Sequence, residues 1–181
     1  KNSSVLEKIK LKSILVLWSV AGLIAIAVLW FLPWRFDSND DVIMMWLVSG
    51  AYTGEPESYA LFIHPFLSHG LASLYNAFPS INWYSLVWFT TLFLSYLAIV
   101  VSVTNSPLQR KWQHLILFFL LILWVHFALI LQFTVVAGVS AFSGLLLLSN
   151  SKRSSFKISS FFGLLLITIA FLIRWESFVL I

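Results

Sequence analysis

Three carboxylates fall close together at Asp37, Asp40 and Asp41, in the run Arg35-Phe36-Asp37-Ser38-Asn39-Asp40-Asp41. A cluster of this kind holds a divalent cation such as Mg or Mn, or acts as a general base on a hydroxyl. The same residues also make a helix start. Asn39 is a preferred N-cap, and Asp40 and Asp41 in the first turn favour the positive end of the helix dipole. Both readings stand on the residues alone, and capping with solvated charge is the commoner. His64 and His69 miss the i, i+4 spacing that stacks two metal ligands on one face, and Pro65 disturbs the register between them. An interfacial hydrogen bond is the default use of either ring. His126 sits inside a long apolar block, where an interhelical hydrogen bond outweighs a functional role, and His114 merely borders it. Arg174 and Glu176 flank Trp175. An interfacial ion pair explains them, and a guanidinium facing a phosphate is the competing use. The chain has no cysteine, which excludes disulfides, thiolate zinc sites and thiol nucleophiles.

The elements that carry these residues are apolar. Of 181 residues, 60% are hydrophobic and only 10% are charged, far from the roughly 25% charge of a soluble domain. Mean hydropathy is +0.95. The composition therefore predicts an all-α polytopic membrane bundle forming a single domain over residues 1–181. Five apolar blocks approach the length that spans a bilayer: about 14–33, 85–103, 115–131, 133–149 and 158–173. The stretch Leu115 to Ser149 has no charge for 35 residues, and as one helix it would be about 52 Å long against a hydrocarbon core of about 30 Å. Two crossings with a tight turn near Gln132, Phe133 and Thr134 fit better. The segment Gly138 to Gly144 offers small residues for close helix packing.

Charge orients the spans. Placing the amino terminus in the cytoplasm puts nine of the eleven basic residues inside: Lys1, Lys8, Lys10, Lys12, Arg110, Lys111, Lys152, Arg153 and Lys157. The net charge of +4 is thus a topology signal, and no basic patch interleaved with aromatics points to nucleic acid. Residues 34–84 form a long outer loop, too apolar for disorder. It should hold two amphipathic helices, one from Asn39 to about Ser49 and Gly50, the other from about Ser58 to Phe78, bent by Pro65 and loosened at Gly70.

The stretch from Asn39 through Ser49-Gly50-Ala51-Tyr52-Thr53-Gly54 to Leu74-Tyr75 and Trp83-Tyr84, placed after one span and an acidic turn, resembles the integral membrane glycosyltransferases of the GT-C superfamily. It also looks like a group of bacterial polytopic proteins of uncharacterised function. The resemblance implies a multi-pass protein of the bacterial inner membrane that moves a sugar from a polyprenyl-phosphate-linked donor on the extracytoplasmic face. It implies Asp40 and Asp41 as catalytic base or metal ligands, and Asp37, Arg174, Glu176 and His64 as substrate contacts. The spans would hold the lipid tail. Members of that superfamily have more spans than this sequence, so the chain is expected to be a fragment of a larger enzyme or not catalytic by itself. The alternative is a noncatalytic membrane subunit packing its aromatic-rich spans against partner proteins. A small transporter is less favoured, because charges lie at span ends and not mid-bilayer.

Overall fold

The computed structural model describes residues 2–149 and 156–174, with side chains described over 13–149 and 158–174. Lys1, Lys152, Arg153, Trp175 and Glu176 lie outside the described residues. In chain order the elements are α1 (Asn2–Phe31), β1 (Arg35–Phe36), α2 (Asn39–Ser49), α3 (Pro65–Ala77), α4 (Trp83–Thr104), α5 (Arg110–Leu129), β2 (Ile130–Leu131), α6 (Phe133–Ser149) and α7 (Phe156–Ile173). Among the described residues three helices are long and apolar enough to cross a membrane, over Ser13–Phe31, Trp83–Thr104 and Arg110–Leu129. The apolar helices Phe133–Ser149 and Ile158–Ile173 are shorter.

The uncharged helix α4 is the post of the bundle, and α1, α5, α6 and α7 all pack on it. Its buried face carries Tyr84, Trp88, Phe89, Leu92 and Tyr96. Side-chain donors reach backbone carbonyls on neighbouring helices. Tyr96 Oη donates to the Trp18 carbonyl at 2.9 Å, Trp124 Nε1 to the Leu92 carbonyl at 2.8 Å and Ser140 Oγ to the Leu166 carbonyl at 2.8 Å. Each buries a polar group with its partner supplied. His114 does more than border its helix: its Nδ1 accepts from Trp18 Nε1 at 3.1 Å, which fastens α1 to the start of α5.

The long uncharged stretch does break in two, but not as a tight hairpin at Gln132 to Thr134. The chain leaves α5 at Leu129, forms β2, and re-enters a helix at Phe133. Helices α5 and α6 take separate places on α4, with an apolar cleft of about 120 Å³ between them lined by Leu120, Leu123, Phe127, Val139 and Phe142. The freed backbone at the break is used by β1, which pairs with β2 in parallel, Arg35 opposite Ile130 and Phe36 opposite Leu131. Asp37 N–H extends the pairing to the Leu131 carbonyl at 3.0 Å. Nothing in the periodicity of either segment foretold this pairing.

In the loop that follows, α2 runs as expected and stops at Gly50, whose φ of 78° is left-handed. A Cβ there would lie 2.7 Å from the Glu55 carbonyl carbon. Gly50→Ala therefore suffers both the left-handed penalty and a backbone clash, and should lower stability by about 1–2 kcal/mol, measurable as a reduced melting temperature in detergent. The second loop helix differs from expectation. It begins at Pro65, not near Ser58, because proline suits the first turn, where its missing N–H would be unpaired anyway. Pro65 thus starts α3 and does not bend it.

Candidate functional site

The end of the bundle reached by the β1–β2 pairing collects most of the chemistry-bearing residues. Ser38, and not Asn39, occupies the N-cap of α2, with φ −121° and ψ 150°, yet its hydroxyl caps no backbone N–H. It donates instead to Asp41 Oδ2 at 3.0 Å. Asp41, on the first turn of α2, turns inward and is fully buried. Its Oδ1 accepts from Tyr84 Oη at 2.8 Å and from Phe133 N–H at 3.2 Å. Its Oδ2 is 3.4 Å from the same N–H.

Phe133 is the first residue of α6, so Asp41 places its carboxylate on the exposed donors and positive dipole end of a helix 92 residues further on. The capping predicted for α2 occurs, but across the fold and on another helix. Burial pushes the Asp41 carboxyl above its ordinary pKa of 3.8, against the pull of the Tyr84, Ser38 and Phe133 donors. The Trp88 indole N–H is buried without a hydrogen bond among the described residues, yet lies close enough to the carboxylate to hold its pKa down too.

Behind Asp41 the network continues. Tyr84 N–H donates to Tyr75 Oη at 3.1 Å, and Tyr75 Oη donates to Asn82 Oδ1 at 3.1 Å. Asn82 Oδ1 also caps α4 by accepting from Ser85 N–H at 3.1 Å. Burial raises the Tyr75 pKa, keeping the hydroxyl neutral and able to donate. Asp41 is therefore a bolt joining α2, α4 and α6.

The other candidates are placed differently. Asp40, the next residue back, is exposed, as are Asp37 and Arg35. Asp40 and Asp41 thus do not present their carboxylates to one shared site. The surroundings of Asp41 suit an anion and not a cation. Tyr84, Ser38 and Phe133 aim hydrogens at it, whereas a bound Mg or Mn needs oxygen lone pairs. Among the described residues no three His, Asp or Glu side chains gather as a metal site. The donor set at Asp41 does not fit a divalent cation.

Arg174, at the end of α7, reaches the start of α6 from another side. Its Nη1 donates to Thr134 Oγ1 at 2.7 Å, and the guanidinium stands 5.1 Å from the Phe133 ring centroid. Asp41 and Arg174 therefore engage the same two-residue helix start, the first at its backbone and the second at its side chains. Glu176 lies outside the described residues.

His64 is exposed. Its Nδ1 accepts from Phe66 N–H at 3.2 Å as the N-cap of α3. The His64 backbone N–H donates to the Leu172 carbonyl at 2.9 Å. This latches the loop to the end of α7, beside the stacked rings of Phe62 and Phe133 at 6.1 Å. His69 pairs with Ser58 at 3.1 Å, so the two histidines do not converge. His126 turns to the exposed side of α5 and not into the bundle.

The amino-acid order gives Tyr84 no role beyond the stretch Trp83-Tyr84 and does not mark it as the partner of Asp41. The two are 43 residues apart, and no local spacing links them. Set against protein-family models, curated proteins and solved structures, the chain matches none.

Proposed function

We infer that the chain is a multi-pass membrane protein of the GT-C glycosyltransferase type, transferring a sugar from a polyprenyl-phosphate-linked donor at the extracytoplasmic face. One observation carries this reading: two adjacent carboxylates have opposite environments. Asp41 is consumed as the buried bolt, and that bolt holds the first turn of α2 so that Asp40 stands exposed at the end of the bundle where Arg174 also lies. Two neighbouring carboxylates in unlike surroundings can take unlike roles, the buried one structural and the exposed one open to a substrate hydroxyl.

The topology has support of its own. The starts of α1, α5 and α7 lie at the end opposite Asp41, and they carry Lys8, Lys10, Lys12, Arg110, Lys111 and Lys157. That distribution supports reading the Asp41 end as extracytoplasmic, since Lys and Arg accumulate on the cytoplasmic side.

In the reaction, Asp40 takes the proton of the acceptor hydroxyl as its oxygen attacks the anomeric carbon. The bond from that carbon to the donor phosphate oxygen breaks, and the phosphate leaves with the electron pair. Arg174 supplies positive charge for it. Asp37 is exposed beside this turn and fits an acceptor contact. Asp41 is a positioning residue.

Asp40→Asn should reduce release of polyprenyl phosphate from a polyprenyl-phosphate sugar by about 10²-fold or more, while the melting temperature stays unchanged. Undiminished release by this variant would remove the catalytic reading. The second reading, a noncatalytic subunit, is favoured by the full structural occupation of Asp41. It expects no release by the wild-type chain and retention of a partner protein through purification.

A further inference from the structure

At the end of the bundle opposite Asp41, α4, α6 and α7 enclose a groove of about 330 Å³, within the size range of small-molecule sites. Its floor is Ala98, Leu147 and Leu166, all buried, and its rim is Ile158, Phe162 and Leu165, all exposed. The groove exists because α6 and α7 cross tightly at Gly144 and Gly163, while α4 and α7 meet over much less of their length. We propose that this groove is a binding site for one acyl chain of an anionic glycerophospholipid, drawn from the leaflet on the basic side of the protein.

Three observations fix that occupant. The lining is aliphatic and aromatic apart from Ser159, so it takes hydrocarbon and rejects a headgroup. The groove runs from Ile158 to Leu166 along α7, about 12 Å at 1.5 Å per residue, close to the roughly 15 Å half-thickness of a hydrocarbon core. That depth matches a chain confined to one leaflet, and not a polyprenol that crosses both. The groove also begins at Ile158, the residue after Lys157 in the sequence, at the end of the bundle where α5 starts with Arg110 and Lys111, so a negative headgroup is the complementary one.

The site is independent of the reading given to Asp40, which lies at the other end. A lipid seated here ties α4 to α7 where their own packing is thin.

Because the chain has no cysteine, a Leu165→Cys reporter carrying a bimane fluorophore can be read in phosphatidylcholine nanodiscs, beside a Phe118→Cys reporter on the exposed face of α5. A small fraction of phosphatidylglycerol brominated on its acyl chains should quench the groove reporter about fivefold more than the α5 reporter, the enrichment expected from about 1 kcal/mol of attraction by one Lys at a membrane surface. Brominated phosphatidylcholine at the same fraction should quench both alike. Ser159→Phe, which fills the groove, should remove the excess, and Leu97→Trp serves the same purpose if that variant does not fold. Lys157→Gln should remove the preference for phosphatidylglycerol.

Equal quenching of both reporters by phosphatidylglycerol overturns the proposal, as does an excess that survives the filled groove. Displacement of the brominated lipid by unbrominated polyprenyl phosphate would assign the groove to a carrier lipid and overturn it as well. Protection of the groove reporter from every lipid would assign it to a protein segment, from this chain or a second copy, with the same consequence.

Discussion

Asp41→Ala should lower the free energy of unfolding by about 3 kcal/mol. The substitution strands the Tyr84 hydroxyl and the Phe133 N–H, two buried donors that each cost about 1–3 kcal/mol when unpaired. Removing a desolvated carboxyl offsets part of that loss, and half-buried Ser38 can turn to water. The measurement is thermal unfolding in detergent, with amide exchange reporting where the structure opens. Exchange should rise first at the start of α6 and in α2, the two elements the bolt joins. Asp41→Asn keeps the size and one acceptor and should lose about half as much. A melting temperature unchanged in both variants would contradict the role of Asp41 as the joint between α2, α4 and α6.

The same residue sets a pH dependence. Its folded pKa is raised above the ordinary 3.8, so between the two values the folded state binds more protons than the unfolded one. Stability from this group is fully present below the unfolded pKa and is lost as pH rises through the folded value. In Asp41→Asn that part of the acid-side slope should disappear. A wild-type curve and a variant curve of equal slope above pH 3.8 would contradict it.

The second large effect belongs to the crossing of α6 and α7. A Cβ at Gly144 would stand 2.7 Å from the Gly163 carbonyl oxygen and 2.8 Å from Ile167 Cγ1. The neighbour on one side is backbone, which cannot turn away, so the helices must separate. Gly144→Leu should cost about 3 kcal/mol, at the upper end of overpacking penalties, and should break the Ser140 to Leu166 hydrogen bond one turn away. Gly144→Ala should lie between this variant and wild type. Gly70 in α3 is the control, since a Cβ there meets nothing within 4 Å. Gly70→Ala should raise stability by about 0.8 kcal/mol through helix propensity alone. Equal melting temperatures for the Gly144→Leu and Gly70→Ala variants would refute the close crossing.

The difference between these two glycines was only partly legible in the amino-acid order. The small-residue run from Gly138 to Gly144 pointed to close packing, and Gly144 does pack closely. That its partner is Gly163 depended on how α7 folds back, which local composition does not encode. His64 is a similar case. A histidine before a proline reads as a helix start once the proline is assigned to the first turn, yet the bond from its N–H to Leu172 joins residues more than a hundred positions apart.

The sequence by itself determined that the apolar blocks are helical, because uncharged apolar runs and their flanking Lys, Asn and Gly residues act within a few turns of chain, though it misplaced the start of α3. It also determined that the acidic run opens a short helix closed by Gly50. Only the tertiary structure decided which of the neighbouring carboxylates turns inward. A one-residue step along a helix rotates a side chain by about 100°, so Asp40 and Asp41 are nearly alike in sequence and face different surroundings once α2 is docked. That docking is directed by the β1–β2 pairing and by the unpaired N–H at the start of α6, groups that exist only after distant parts of the chain have met.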